Sequence, residues 1–178
     1  MQSIGVRYGL LAGALVIVYF ALLYALCLQC FLHPGFQWAA LLLYGAVLLL
    51  AAVADDRQHG LHRTFRERVR TPFLAFVVGN VLYWLFYYTL HLADPGLLQA
   101  EAAQQIAYLR NQLQAGTGDP AASAKIREQL AYLEKEGMSM PLGPVVLQIG
   151  LSALGGFGLA AVSTLIASFI QPGPSDRT

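Results

Sequence analysis

Charge is what this sequence is short of. Asp, Glu, Lys and Arg make up 12% of its 178 residues, while 57% are hydrophobic. A soluble domain carries roughly 25% charged residues, and a chain this short must still wet most of its surface. The deficit excludes an ordinary water-soluble domain and points to lipid as the solvent over much of the surface. The shortage is also local. After Arg7 no charged residue occurs until Asp55, none between Arg70 and Asp94, and none between Glu136 and Asp176. A charge at the bilayer centre costs about 2.5–3.5 kcal/mol, so long charge-free apolar windows mark membrane spans.

Other absences narrow the function. The net charge of +1 gives no global field for nucleic acid or an acidic substrate. There is no P-loop, no CxxCH and no large basic patch, so neither nucleotide, haem nor DNA binding is expected, and no cofactor. The middles of the apolar windows hold no Asp, Glu, Lys or Arg, the groups that proton relays and ion-coupled transporters use.

What is present predicts an all-α fold, a four-transmembrane-helix bundle forming one polytopic membrane domain over 1–178. About twenty apolar residues cross a hydrocarbon core of roughly 30 Å. The spans are expected at about 8–28, 36–54, 73–92 and 145–170. His33-Pro34-Gly35 separates the first two. Thr71-Pro72 reads as the N-cap and first residue of the third, and Pro141 and Pro144 precede the fourth. Arg7 before an apolar run also fits a signal peptide, but the run is long for one and small-x-small cleavage sites are poor, so a retained helix is expected.

Arg57, Arg63, Arg66, Arg68 and Arg70 crowd the short loop between spans two and three. The positive-inside rule puts that loop in the cytoplasm, with both termini, Arg7 and Arg177 agreeing. The segment from 93 to 140, richer in acids than bases, then falls outside. Leu61, Phe65, Val69 and Phe73 recur every four residues, with arginines between. Arg63, Arg66, Arg68 and Arg70 are therefore candidates to meet a lipid surface, against the plainer reading of a topology-fixing loop.

The outer segment is patterned as an antiparallel helical hairpin, about 95–138. Asp94-Pro95 and Asp119-Pro120 each open a helix, and Gly116 to Gly118 stop the first. Ala102, Ile106, Leu109 and Leu113 form a heptad-like seam, repeated by Ile126, Leu130 and Leu133. Both helices carry Ala-Tyr-Leu, at 107–109 and 131–133. The seams can bury each other, membrane lipid or a protein partner.

Gly5, Gly9 and Gly13 form overlapping GxxxG units. Ser152, Gly156, Ala160 and Thr164 form a small-xxx-small ridge on the fourth span. Such ridges let helix backbones approach closely. Spans one and four are expected to pack through them, with a homo-oligomer through one ridge as the alternative. Asn80 reads as interhelical glue.

Cys27 and Cys30 are the only cysteines. The plainest reading is a pair of inert side chains buried in an apolar helix. A CxxC at the outer boundary can also be a redox pair, though the outer segment lacks the second cysteine pair of the four-helix thiol oxidases. With His33 and His91 the pair could supply metal ligands, but neither histidine lies in a tight metal motif, and no metal site is assigned.

Tyr8-Gly9-Leu10 with Gly13, the basic loop, the aromatic third span, the Gln-rich helical insert and the Gly/Ser-rich fourth span come in an order that resembles a bacterial family called domain of unknown function 4199. The resemblance covers nearly the whole chain. It implies an inner-membrane protein of Gram-negative bacteria and no catalytic residues. The expected function is a non-enzymatic accessory, scaffold or assembly protein acting through the hairpin. The alternatives are a thiol-disulfide oxidoreductase using Cys27 and Cys30, and a lipid or small-molecule transporter.

Overall fold

The computed structural model describes residues 3–60, 62–116, 120–136 and 142–170. Leu61 of the expected loop periodicity, the Thr117-Gly118 stop, the Asp119 cap, Pro141 and Arg177 lie outside them. The described chain is all α: α1 Ile4–Leu26, α2 Leu28–Leu32, α3 Pro34–His59, α4 Phe65–Ala93, α5 Pro95–Ala115, α6 Pro120–Glu136 and α7 Leu142–Ile170. Four helices are long and apolar enough to cross a membrane: Ile4–Leu26, Pro34–His59, Phe65–Ala93 and Val145–Ile170.

Local chemistry sets the helix ends. The Ser3 hydroxyl accepts from the Val6 amide at the start of α1. Nδ1 of His33 accepts from the Gly35 amide at 3.1 Å, and Pro34 stands in the first turn of α3, where its missing N–H is not needed. Gly60, at φ 78°, closes α3 by donating its N–H to the Asp56 carbonyl. A carboxylate oxygen of Asp94 accepts from the Gly96 amide at 2.9 Å and opens α5.

The start of α4 differs from expectation. Thr71-Pro72 does not open the helix. Pro72 is buried inside α4, and the helix begins two turns earlier. There Oε2 of Glu67 accepts both the amide and the hydroxyl of Thr64, each at 2.9 Å. Thr64-x-x-Glu67 carries the capping-box signature. The expected amphipathic stretch is thus the first turns of the third span's own helix.

The chain divides into two compact units, Met1–Phe86 with Gly143–Thr178, and Tyr87–Leu142. In the first, the glycines of α1 lie against α4. A Cβ on Gly5 would come 2.9 Å from the Thr71 carbonyl oxygen, one on Gly9 2.7 Å from Cβ of Val78, and one on Gly13 2.8 Å from a Leu82 methyl. Helix α7 meets α4 as well. A Cβ on Gly156 would fall 2.1 Å from the Phe76 ring, and Phe73 stacks edge-on with Phe157. The expectation that spans one and four pack ridge to ridge is therefore corrected: each ridge meets the third span. The third span has small residues of its own at this contact: a Cβ on Gly79 would lie 3.1 Å from the Gly9 carbonyl oxygen and 3.2 Å from the Gly13 nitrogen, and one on Gly9 2.8 Å from the Ala75 carbonyl oxygen, while Leu74, Val78 and Leu82 also press on the glycine face of α1.

In the second unit Leu97, Ala102 and Leu109 of α5 are buried, and Arg110 of α5 donates to Glu134 of α6 at 2.7 Å. His91 is buried there too. Its Nδ1 lies 2.8 Å from the Tyr87 carbonyl and its Nε2 3.1 Å from a Glu101 carboxylate oxygen, while the Tyr87 hydroxyl donates to Glu101.

Candidate functional site

Three places in the first unit concentrate chemistry. The most strongly built is where the start of α1, the end of α3 and the start of α4 come together. Helix α3 overruns its charge-free window by more than a turn, which carries Asp55 and Asp56 into the protein, each under 4% exposed. A buried carboxylate is tolerated only with a partner. Arg68 supplies one for Asp56 through two parallel bonds, Nε to Oδ1 at 2.8 Å and Nη2 to Oδ2 at 2.7 Å. This is the planar fork that only arginine presents. Arg63 reaches back from the α3–α4 turn to the Asp55 carboxylate, which also lies 3.1 Å from Nδ1 of His59.

Two of the four arginines expected at a lipid surface, Arg63 and Arg68, are thus tied to acids. Arg66 and Arg70 are exposed and meet no acid among the described residues. Asp55 and Asp56 were missed as site residues because a charge just past an apolar window reads as loop. The usable signal was two adjacent acids followed by arginines at eight and twelve positions' distance. Around the Asp55–Arg63 pair lies a half-open cavity of about 1070 Å³, to which Arg7 and Arg70 also contribute.

The second place is a groove of about 670 Å³ lined by α1, α3, α4 and α7. Its walls are mostly apolar and include six aromatic residues, Phe20, Trp38, Tyr44, Phe76, Tyr83 and Trp84. The polar lining includes Asn80, Gln148 and Ser152. Nδ2 of Asn80 donates to Ser152 at 2.8 Å, and the Ser152 hydroxyl donates to the Ile149 carbonyl. Asn80 therefore links α4 to α7. Ala160 and Thr164 are buried further along α7, with Thr164 bonded to the Ala160 carbonyl.

The third is the cysteine pair. Cys27 and Cys30 are joined in a disulfide with Cα atoms 5.2 Å apart. They do not lie in a continuous apolar helix: Cys27 ends α1 and caps α2, its sulfur accepting from the Cys30 amide at 3.2 Å. Both are half-buried. The plain reading of side chains buried in one apolar helix is corrected: the two are half-buried, lie at the break between α1 and α2 and are bonded to each other. The bond also leaves neither sulfur as a thiolate to ligate a metal. No group of three or more His, Cys, Asp or Glu converges among the described residues.

No curated protein matches the chain, and neither does any solved structure. The profile of one family, described as "Protein of unknown function (DUF4199)", matches residues 7–171. With that match over nearly its whole length, the chain belongs to the DUF4199 family of proteins of unknown function.

Proposed function

We propose that the chain is a bacterial inner-membrane protein whose four spans form a bundle, with both termini in the cytoplasm. In this reading α5 and α6 form an antiparallel hairpin in the periplasm that serves as a non-enzymatic docking element for an assembly partner. One observation carries the reading. The two Ala-Tyr-Leu segments turn Leu109 inward to a buried position and Leu133 to a half-buried one, while Tyr108 is 61% and Tyr132 55% exposed. Matching tyrosines held outward on two helices are what a binding face offers, since tyrosine gives large contact area at low entropic cost. The ion pairs Asp55–Arg63 and Asp56–Arg68, which tie α3 to the α3–α4 turn and to α4, support a scaffold role for that part of the first unit as well. A photo-crosslinking residue at position 108 and, separately, at 132 tests it. Both should capture the same discrete species in cells, and neither doing so would sink the docking role.

A second reading rests on the disulfide. The Cys30 amide aimed at the Cys27 sulfur would favour a Cys27 thiolate on reduction, as a thiol-disulfide oxidoreductase needs. Trapping the cysteines in living cells decides it. A mixture of reduced and oxidised protein that shifts with thiol load supports redox work. A permanently oxidised pair leaves the bond as a clip between α1 and α2.

A further inference from the structure

We infer that the cavity where α1, α3 and α4 meet holds the phosphate headgroup of an anionic membrane lipid, gripped by Arg7 and Arg70 beside Arg63. The inference rests on the proposed membrane placement, which sets this end of the helices at the level of lipid phosphates. Five charged side chains line the cavity: Arg7, Asp55, Arg63, Glu67 and Arg70. The two carboxylates are already engaged, Asp55 by Arg63 and Glu67 by the Thr64 amide and hydroxyl. Arg7 and Arg70 meet no acid among the described residues, and the Nε of Arg63 is buried without an acceptor. An uncompensated positive charge is therefore left facing an open volume of about 1070 Å³.

The backbone adds to it. The first turn of α1 contains no acidic residue, and Ile4 and Gly5 of that turn line the same cavity. Amides at a helix start favour an anion. The chemistry wanted is thus a compact anion with several acceptor oxygens, which phosphate supplies and guanidinium recognises through paired bonds. Ile4 and Leu74 line the cavity with apolar surface beside these donors. A phosphate that carries glycerol and acyl chains can cover them, and a free phosphate cannot. That favours the lipid as the source.

The experiment uses the full chain, purified in mild detergent and stripped of lipid, then titrated with phosphatidylglycerol, phosphatidylcholine or inorganic phosphate while binding is followed by native mass spectrometry. Arg7→Gln with Arg70→Gln should weaken phosphatidylglycerol binding at least roughly tenfold, the scale of one lost charged hydrogen bond. Arg57→Gln with Arg66→Gln removes the same charge from exposed positions outside the cavity and should leave binding within about twofold of the parent. Arg7→Lys with Arg70→Lys should restore part of the loss. Equal loss in both Gln pairs would mean a diffuse basic surface and overturn the site, as would no loss in either. Inorganic phosphate bound as tightly as the lipid would overturn the lipid source, and phosphatidylcholine bound equally well would overturn the anionic class. Release of the chain from membranes by alkaline carbonate would overturn the membrane reading together with this one. Retention in the membrane with undiscriminating lipid binding overturns this one alone.

Discussion

Asp56 and Arg68 show how much a single residue carries here. The Arg68 side chain is 11% exposed and its two bonds are the partners of a carboxylate that is almost wholly covered. Removing one member of a buried pair strands the other, at about 3–5 kcal/mol. Arg68→Ala should therefore lower stability in detergent by that order, read from a denaturant or thermal midpoint. Arg66→Ala, at an exposed position, should stay within about 0.5 kcal/mol. Replacing Asp56 and Arg68 together by apolar residues should recover most of the loss, since no charge is then left unpaired. The glycines give a second contrast. A Cβ on Gly9 would lie 2.7 Å from Val78 and 2.8 Å from the Ala75 carbonyl oxygen, whereas one on Gly158 meets nothing within 4 Å. Gly9→Ala should cost about 1–3 kcal/mol through overpacking. Gly158→Ala should be neutral or gain up to about 1 kcal/mol of helix propensity. A stabilising Gly9→Ala would refute the close approach of α1 to α4.

At the scale of elements, α4 is the helix on which sequence reading and structure part most clearly. Its first turn is held by the Thr64–Glu67 box, so Thr64→Ala should cost about 1 kcal/mol. The loss should be local: amides of residues 65–68 should exchange faster while those beyond Pro72 keep their protection. Faster exchange along the whole helix would contradict an end effect. The four spans were legible because charge-free apolar windows have a direct physical cause. The helix start at Pro95 was legible because the proline follows Asp94, whose carboxylate accepts an amide bond; His33-Pro34-Gly35 read only as a break before a span from about 36, whereas Pro34 itself opens α3 under the His33 side chain. Pro72 misled, because a membrane helix tolerates an internal proline when neighbouring groups satisfy the freed carbonyl. The small-residue ridges were visible too, but a notch says that something approaches closely and not which helix does. The Asp55–Arg63 and Asp56–Arg68 pairs were hidden for a related reason. Pairing across a turn depends on where α3 stops, and the apolar window ended before the helix did.

For the whole molecule the consequential question is which side each unit's chemistry faces. The α3–α4 turn holds the basic residues, and α6 belongs to the separate unit of Tyr87–Leu142. The proposed topology places His62 in the cytoplasm and Ala124 in the periplasm, and both positions are exposed. In a background of Cys27→Ser and Cys30→Ser, single cysteines at these positions can be challenged in intact cells with a membrane-impermeant maleimide. Ala124→Cys should label directly, and His62→Cys only after the membrane is opened. The reverse pattern would put the arginine-lined cavity outside, against the positive-inside rule, and the hairpin would then seek a cytoplasmic partner. Labelling of both in intact cells would mean that an even number of crossings separates them. Since α4 is the one helix long and apolar enough to cross among the described residues between position 62 and the start of α5, that result would remove α4 from the set of spans.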